Sequence, residues 1–277
     1  MKEVLEKLDL ADFSFVSFQH LNIFDVRSKQ RIPDNAKTAI AIIFPYYNKS
    51  AFFGNVSAYC AVADYHIVVM EQLKSIIYLL KEKYPDNVFV PFVDSSPVDE
   101  VDMAVKGGLG VKGQNSLLIT EKWGSFVFIG EIITDLEWET VLYDYKYCMG
   151  CGLCRKNCPG GAIKHKHSDM GDRVAYIDTE CCASFISQKK QQLTEEQTEI
   201  LARAETVFGC DICQKACPHN KALVDGTVPA EENLFSGDIL HTVTKENVAE
   251  IYKDRPFGFR GLKVLERNIG IYEKQQG

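Results

Sequence analysis

Cys148-Met-Gly-Cys151-Gly-Leu-Cys154-Arg-Lys-Asn-Cys158-Pro159 and Cys210-Asp-Ile-Cys213-Gln-Lys-Ala-Cys217-Pro218 decide how this chain reads, with the pair Cys181-Cys182 between them. Nine of the ten cysteines lie in this quarter of the sequence, and Cys60 stands alone. The first run has the spacing C-x2-C-x2-C-x3-C-P. There, three thiolates hold one four-iron cluster, and the cysteine before proline serves a second. Two cubanes take eight thiolates. The two runs supply seven, so either Cys181 or Cys182 supplies the eighth. The crossover assigns Cys148, Cys151, Cys154 and Cys217 to one cluster. Cys158, Cys210 and Cys213, with one member of the pair, go to the other. Disulfides are disfavoured, because cysteines two residues apart do not easily pair with each other. Zinc sites would take the same ligand count, but they usually join two separated C-x-x-C knuckles.

The 277 residues suffice for one large domain or two modest ones, and 46% hydrophobic content supports a sizeable core. No apolar run is long enough for a bilayer span, and no charged-then-apolar leader opens the chain, so a cytoplasmic protein with no membrane partner is expected. The net charge of −7 argues against a strongly basic, nucleic-acid-binding surface. Basic residues do gather at Arg155, Lys156, Lys164, Lys166, Lys189 and Lys190.

Outward from the cysteines, strands and helices alternate. Residues 2–12 have helical spacing. Thr38–Phe44 is an apolar run suited to a strand buried on both faces. Asp64–Lys83 repeats apolar residues at three and four, which predicts an amphipathic helix. Val88–Val93 predicts a strand that Pro91 places near an edge. It runs into Asp94-Ser-Ser-Pro97, a turn leading to a helix. Two more strands are expected at 116–120 and 125–133. The tail from Ala230 to Gly277 is helical in pattern around 244–252, with Thr244 as a candidate cap, and again around 261–273. The predicted class is α/β or α+β. The expected division is an α/β domain over 1–143, a double-cluster, ferredoxin-like domain of short helices and loops over 144–222, and a helical segment over 223–277 packing on the core.

Several stretches match one family in order: Asp64-Tyr65-His66, Val93-Asp94-Ser95-Ser96-Pro97, Gly108-Leu-Gly-Val-Lys-Gly-Gln-Asn115, Gly124-Ser-Phe-Val-Phe-Ile-Gly-Glu131, Asp178-Thr-Glu-Cys-Cys182-Ala-Ser184, and the cysteine runs themselves. Together they resemble epoxyqueuosine reductase, which acts with cobalamin and iron–sulfur clusters in queuosine biosynthesis. The resemblance covers roughly residues 35 to 270. It implies a corrinoid-binding α/β domain joined to a double [4Fe-4S] domain, and reduction of the epoxide of epoxyqueuosine in tRNA to the alkene of queuosine. By position it implies Asp94 as the general acid, Cys182 as the eighth cluster ligand, and cobalamin contacts near Ser57, Leu118, Ile129, Ser184 and Asp211, several of them through the backbone. Tyr65 and His66, at the start of the long helix, either pack there or line the active site.

The chemistry explains this equipment. Epoxide-to-alkene reduction takes two electrons, which side chains do not supply, so a cofactor must. The departing oxygen needs a proton, and a carboxylic acid in an apolar crevice has a raised pKa and can donate one. A plainer role for Asp94 is to cap the following helix.

The chain also departs from the family. Glu100 is followed by Val101 rather than arginine, Ala58 of Ser57-Ala58-Tyr59 stands where the family usually has arginine, and Gln114 replaces a lysine. Each change removes a positive charge, and arginine is the residue that forks onto phosphate. The chain as given also stops soon after Arg267-Asn268, without the helical repeats that many family members carry. Weaker contact with tRNA is therefore expected. Three functions compete: a reductase of the epoxyqueuosine type, a related dehalogenase-like reductase of a small-molecule substrate, and an electron-transfer protein serving a corrinoid or partner. The first two need an electron donor such as a flavodoxin or ferredoxin.

Overall fold

The structure, a computed structural model, describes every residue except 9, 25, 168–172, 228–232 and 277. The expectations for Ala230 and Gly277 therefore lie outside the described residues. In chain order come α1 (Lys2–Leu5), β1 (Asp12–Ser17), β2 (Thr38–Pro45), α2 (Ala58–Ala61), α3 (Tyr65–Lys83), β3 (Phe89–Val93), α4 (Glu100–Lys106), β4 (Val111–Lys112), β5 (Leu118–Ile119) and β6 (Val127–Thr134). The second half holds α5 (Leu153–Asn157), β7 (Ile163–His167), β8 (Arg173–Ile177), α6 (Ala183–Ser187), α7 (Glu195–Arg203), α8 (Ile212–Lys215), α9 (Lys221–Val224), α10 (Val248–Ile251) and α11 (Leu262–Gln276). No helix is long and apolar enough to cross a membrane among the described residues.

β2 is buried along its whole length and lies between β1 and β6 in a sheet of order β1-β2-β6-β3. Every pairing in that sheet is antiparallel. Alternation along the strand divides its side chains between two cores. Ile40, Ile42 and Phe44 face one core with Val69, Leu73, Ile76 and Leu80 of α3. Ala39, Ala41 and Ile43 face the other with Met103, Ala104 and Val105 of α4. This sandwiching explains why β2 reads as an unbroken apolar run although the sheet is not parallel. β3 forms the sheet edge, where Pro91 is tolerated.

Local expectations needed correction in several places. The helix expected over 2–12 stops at Leu5, and residues from Asp12 form β1, because pairing with β2 outweighs a weak helical period. The strand expected at 116–120 shortens to Leu118–Ile119, and an unexpected hairpin, β7–β8, stands in the cysteine-rich half. Thr244 does not cap with its side chain. Its backbone N–H instead donates to Asn247 Oδ1 at 2.8 Å.

The segment beyond residue 222 packs on the first core through Phe235, Leu240, Val243, Phe257, Leu265 and Ile269. Three buried asparagines hold these returns in place. Asn55 exchanges two 2.8 Å hydrogen bonds with the backbone of Val243. Asn268 donates at 2.8 Å to the carbonyls of Ser187 and Val207. Asn220 accepts from Ser125 N–H at 2.9 Å and donates at 2.8 Å to Ser125 Oγ and to the Gln214 carbonyl. The last of these ties the start of β6 to the second cysteine run.

Candidate functional site

The two cysteine runs form a matched pair. Each carries one cysteine, Cys154 or Cys213, on a short helix, α5 or α8, that leads to its last cysteine, and the two helices pack together. Gly152 caps α5 at φ 75°, a left-handed conformation that folds the loop back so that its cysteines share one side. Gly209, before the second run, leaves no room for a side chain: a Cβ there would lie 1.9 Å from Ser57 Oγ.

The thiols gather in two groups. Cys154 and Cys217 each lie within electrostatic reach of Cys148 and Cys151. Cys210 lies near Cys182 and Cys158, and Cys213 near Cys210 and Cys182. The cysteine before each proline has therefore crossed to the other group. Cys181 stands outside both, with its thiol 3.6 Å from Asp178 Oδ2.

Burial raises the thiol pKa values of Cys154, Cys217, Cys210 and Cys213, that of Cys210 to about 12. Backbone amides oppose this: those of Arg155, Ile212 and His219 reach Cys154, Cys210 and Cys217, and Ala162 N–H points at Cys158 Sγ at 3.3 Å. Amide-to-sulfur bonds of this kind suit thiolate ligands and tune cluster potentials. Among the described residues no three His, Cys, Asp or Glu side chains converge at the spacing of one metal ion. A cubane needs a wider quartet, because each thiolate binds a different iron, and the two groups fit that need.

The group of Cys158, Cys182, Cys210 and Cys213 borders a cavity of about 310 Å³. Its other walls include Tyr46, Tyr59, Phe128, Ser125, Ser184 and Gln214. Aromatic faces with hydroxyl and amide groups at their margins suit one face of a flat, amide-bearing macrocycle such as a corrinoid, of which a cavity of this size encloses only a part. Of the expected contact residues, Ser184 lines the cavity. Leu118 and Ile129 turn their side chains into the second core, and their neighbours Leu117 and Phe128 face the cavity instead. The two-residue period of a strand gives the signal for Phe128, since it must oppose Ile129. Ser57 is buried against Gly209. Asp211 is buried and accepts from Ala58 N–H at 2.6 Å, so its side chain braces α2 against the second run.

Asp94 lies immediately after β3 with φ 59°, an uncommon backbone state for a non-glycine residue. It does not cap α4; Asp99 does, accepting from Asp102 N–H at 3.0 Å. The Asp94 carboxylate is exposed at the rim of an open pocket of about 640 Å³, shared with Arg27, Ser28, Arg31, Ser95 and Ser96. His66 Nε2 is 3.4 Å from Asp94 Oδ2, and His66 Nδ1 is 2.7 Å from Asp64 Oδ1. Burial works against a charged imidazole, but the bonds to Asp64 and Asp94 outweigh it and raise His66 to about 9. The His66 bond holds the Asp94 carboxyl below its ordinary value, with help from Tyr65 and Arg260. A raised Asp94 pKa was expected from an apolar crevice; the charged, open surroundings reverse its direction.

Behind this loop are two carboxyls that sequence reasoning missed. Glu131 on β6 is fully buried and accepts from Ser96 Oγ. Glu100 receives the backbone N–H of Asp94. Burial raises the pKa of both, and for Glu100 the nearby Glu131 adds to the rise.

Aromatic rings join the cavity to Asp94. Phe128 stacks on Tyr65 at 4.2 Å, and Tyr65 stacks on His66 at 4.0 Å. Both halves of the expected site therefore meet along one wall.

Comparison with known proteins agrees with this layout. The family described as "Epoxyqueuosine reductase QueG, DUF1730" matches residues 27–95, and the "4Fe-4S double cluster binding domain" matches residues 147–220. An epoxyqueuosine reductase of Cyclobacterium marinum is 31% identical over 92% of this chain and 82% of its own length. One of Cellulophaga algicola is 33% identical over 84% of this chain and 74% of its own. Among solved structures, the epoxyqueuosine reductase of Streptococcus thermophilus superposes with a TM-score of 0.76 at 21% identity, over 99% of this chain and 80% of that one. A reductive dehalogenase described as B12-dependent shares the fold with a TM-score of 0.52 at 15% identity, over 99% of this chain and 35% of that one.

Proposed function

Because the chain belongs to the epoxyqueuosine reductase family, we propose that it reduces epoxyqueuosine in tRNA to queuosine, in the cytoplasm, with electrons from a low-potential carrier such as a flavodoxin or ferredoxin. The aromatic wall from the cysteine-bordered cavity to Asp94 is the observation that carries this reading. One structure in the family is described as holding an epoxyqueuosine-modified tRNA stem loop. Arg27 and Arg31 supply positive charge beside Asp94. They offset the arginines missing from the family motifs and favour a phosphate-bearing substrate over a small neutral one.

The roles divide along the chain. Residues 144–222 hold two [4Fe-4S] clusters: Cys148, Cys151, Cys154 and Cys217 on one, and Cys158, Cys182, Cys210 and Cys213 on the other. Residues 1–143 form the substrate side, and Ser184 and Gln214 meet them at the cavity. A corrinoid bound there would supply the low-potential reducing chemistry that amino acids lack. Tyr65 and His66 orient the Asp94 carboxylate. His66, held between Asp64 and Asp94, stores a proton at neutral pH. That proton reaches the departing oxygen by way of Asp94, so Asp94 passes a proton on rather than holding one at rest.

Anaerobic reconstitution with iron, sulfide and cobalamin tests the reading. About eight irons, a retained corrinoid and conversion of an epoxyqueuosine-bearing stem loop are expected. Iron uptake without corrinoid retention would leave electron transfer alone as the function.

A further inference from the structure

Resting on the reductase reading above, we propose that the largely exposed stretch 146–157, with Tyr147, Met149 and Leu153, is the docking surface for a small acidic one-electron carrier protein. These side chains are 65%, 66% and 38% exposed. They interleave with Cys148, Cys151 and Cys154, and Cys151 is itself exposed. The two cysteine groups thus differ in access. One borders the cavity, and the other has Cys151 at the surface among exposed apolar side chains. An electron source approaches the second more readily, since the first faces the cavity on the substrate side.

Charge identifies the partner. From residue 145 to 167 the chain carries Lys146, Arg155, Lys156, Lys164 and Lys166 and no aspartate or glutamate, in a protein of net charge −7. Lys164 is neutralised by Asp178 at 2.5 Å. Lys146, Arg155, Lys156 and Lys166 are exposed. Exposed basic residues that flank Tyr147, Met149 and Leu153 along the chain match the composition of a protein interface, apolar and aromatic with charge at its margins. Electron-transfer encounters bury little area and rely on charge for approach, which suits a patch of this size. A polyanionic RNA would use the lysines but has no use for Met149 and Leu153, and Arg27 and Arg31 already stand at the Asp94 pocket.

Each docking event oxidises the carrier by one electron. Two events supply the two electrons that, with two protons, break both epoxide C–O bonds, form the alkene and release the oxygen as water.

The test uses the anaerobically reconstituted iron–sulfur protein and follows bleaching of its visible absorption in a rapid-mixing instrument. The reductants are reduced flavodoxin and photoreduced deazaflavin, which needs no docking surface. The double variant Lys146→Glu/Lys156→Glu should slow bleaching by flavodoxin about tenfold or more at low salt, with a weaker salt dependence. Met149→Ser should slow it several-fold without changing the salt dependence. Neither should alter the deazaflavin rate. Unchanged flavodoxin rates in both variants would overturn the proposal, as would equal slowing with both reductants. It would also fall if flavodoxin rates held while binding of a tRNA stem loop weakened. Because the readout is cluster absorbance, it stands even if the chain proves inactive on epoxyqueuosine.

Discussion

Asp94 and His66 share one proton between unequal neighbours, and pH should reveal it. The folded pKa of His66 is raised to about 9 from an ordinary value near 6.5. Its contribution to stability is therefore complete below about pH 6.5 and lost as pH rises through about 9. Asp94 is shifted the other way. Its contribution is present above about pH 3.9 and lost as pH falls through its lowered folded pKa. His66→Gln should melt below the parent at neutral pH and converge with it near pH 10, and an NMR titration of the parent should place the imidazole transition near 9. A transition near the free-histidine value would remove the basis for the proton store. Asp94→Asn should lower turnover by about 10²- to 10⁴-fold while leaving iron content unchanged, which metal analysis and single-turnover assays would check.

At the scale of elements, the joints are polar where the cores end. Asn220 spans from the second cysteine run to the start of β6. Asn220→Ala would strand the buried Ser125 N–H, while the Gln214 carbonyl would keep its bond from Cys217 N–H. It should cost about 1–3 kcal/mol, read from denaturant midpoints of the reconstituted protein. Glu131 on β6 behaves differently. Its raised folded pKa means that stability falls as pH climbs above the ordinary carboxylate range. Glu131→Gln should flatten that decline while keeping a hydrogen-bonding partner for Ser96. If the melting profiles of variant and parent run parallel from acid to neutral pH, Glu131 is not the group responsible.

Across the whole molecule, apolar burial is uneven. The sheet sits between two large cores, whereas the cysteine-rich part has a separate cluster of five buried residues: Ala183, Ile186, Ile200, Leu201 and Ala204. So small a core does little to offset chain entropy, and metal binding must contribute to its folding. Stripping the iron with a chelator should expose residues 147–220 to hydrogen exchange and proteolysis first, with β2 and β6 still protected. Simultaneous loss of protection in both regions would show that the sheet depends on the metal as well.

The sequence by itself determined the family, the long helix α3, the buried strand β2 and which cysteines the fold brings near one another. Each is written in local spacing: cysteine intervals, a three-to-four apolar period, an unbroken apolar run rich in isoleucine. Spacing also placed Asp94 directly after a strand. Only the tertiary structure decided that this strand belongs to an antiparallel sheet, that residues from Asp12 form β1, and that Phe128 rather than Ile129 faces the cavity. It alone paired Asp94 with His66, 28 positions away, and buried Glu131 behind the loop. A carboxyl's pKa depends on the charges and solvent within a few ångströms, and distant parts of the chain bring those together. Motif and period are local properties, so they can be read directly; proton affinity arises only once the chain has folded.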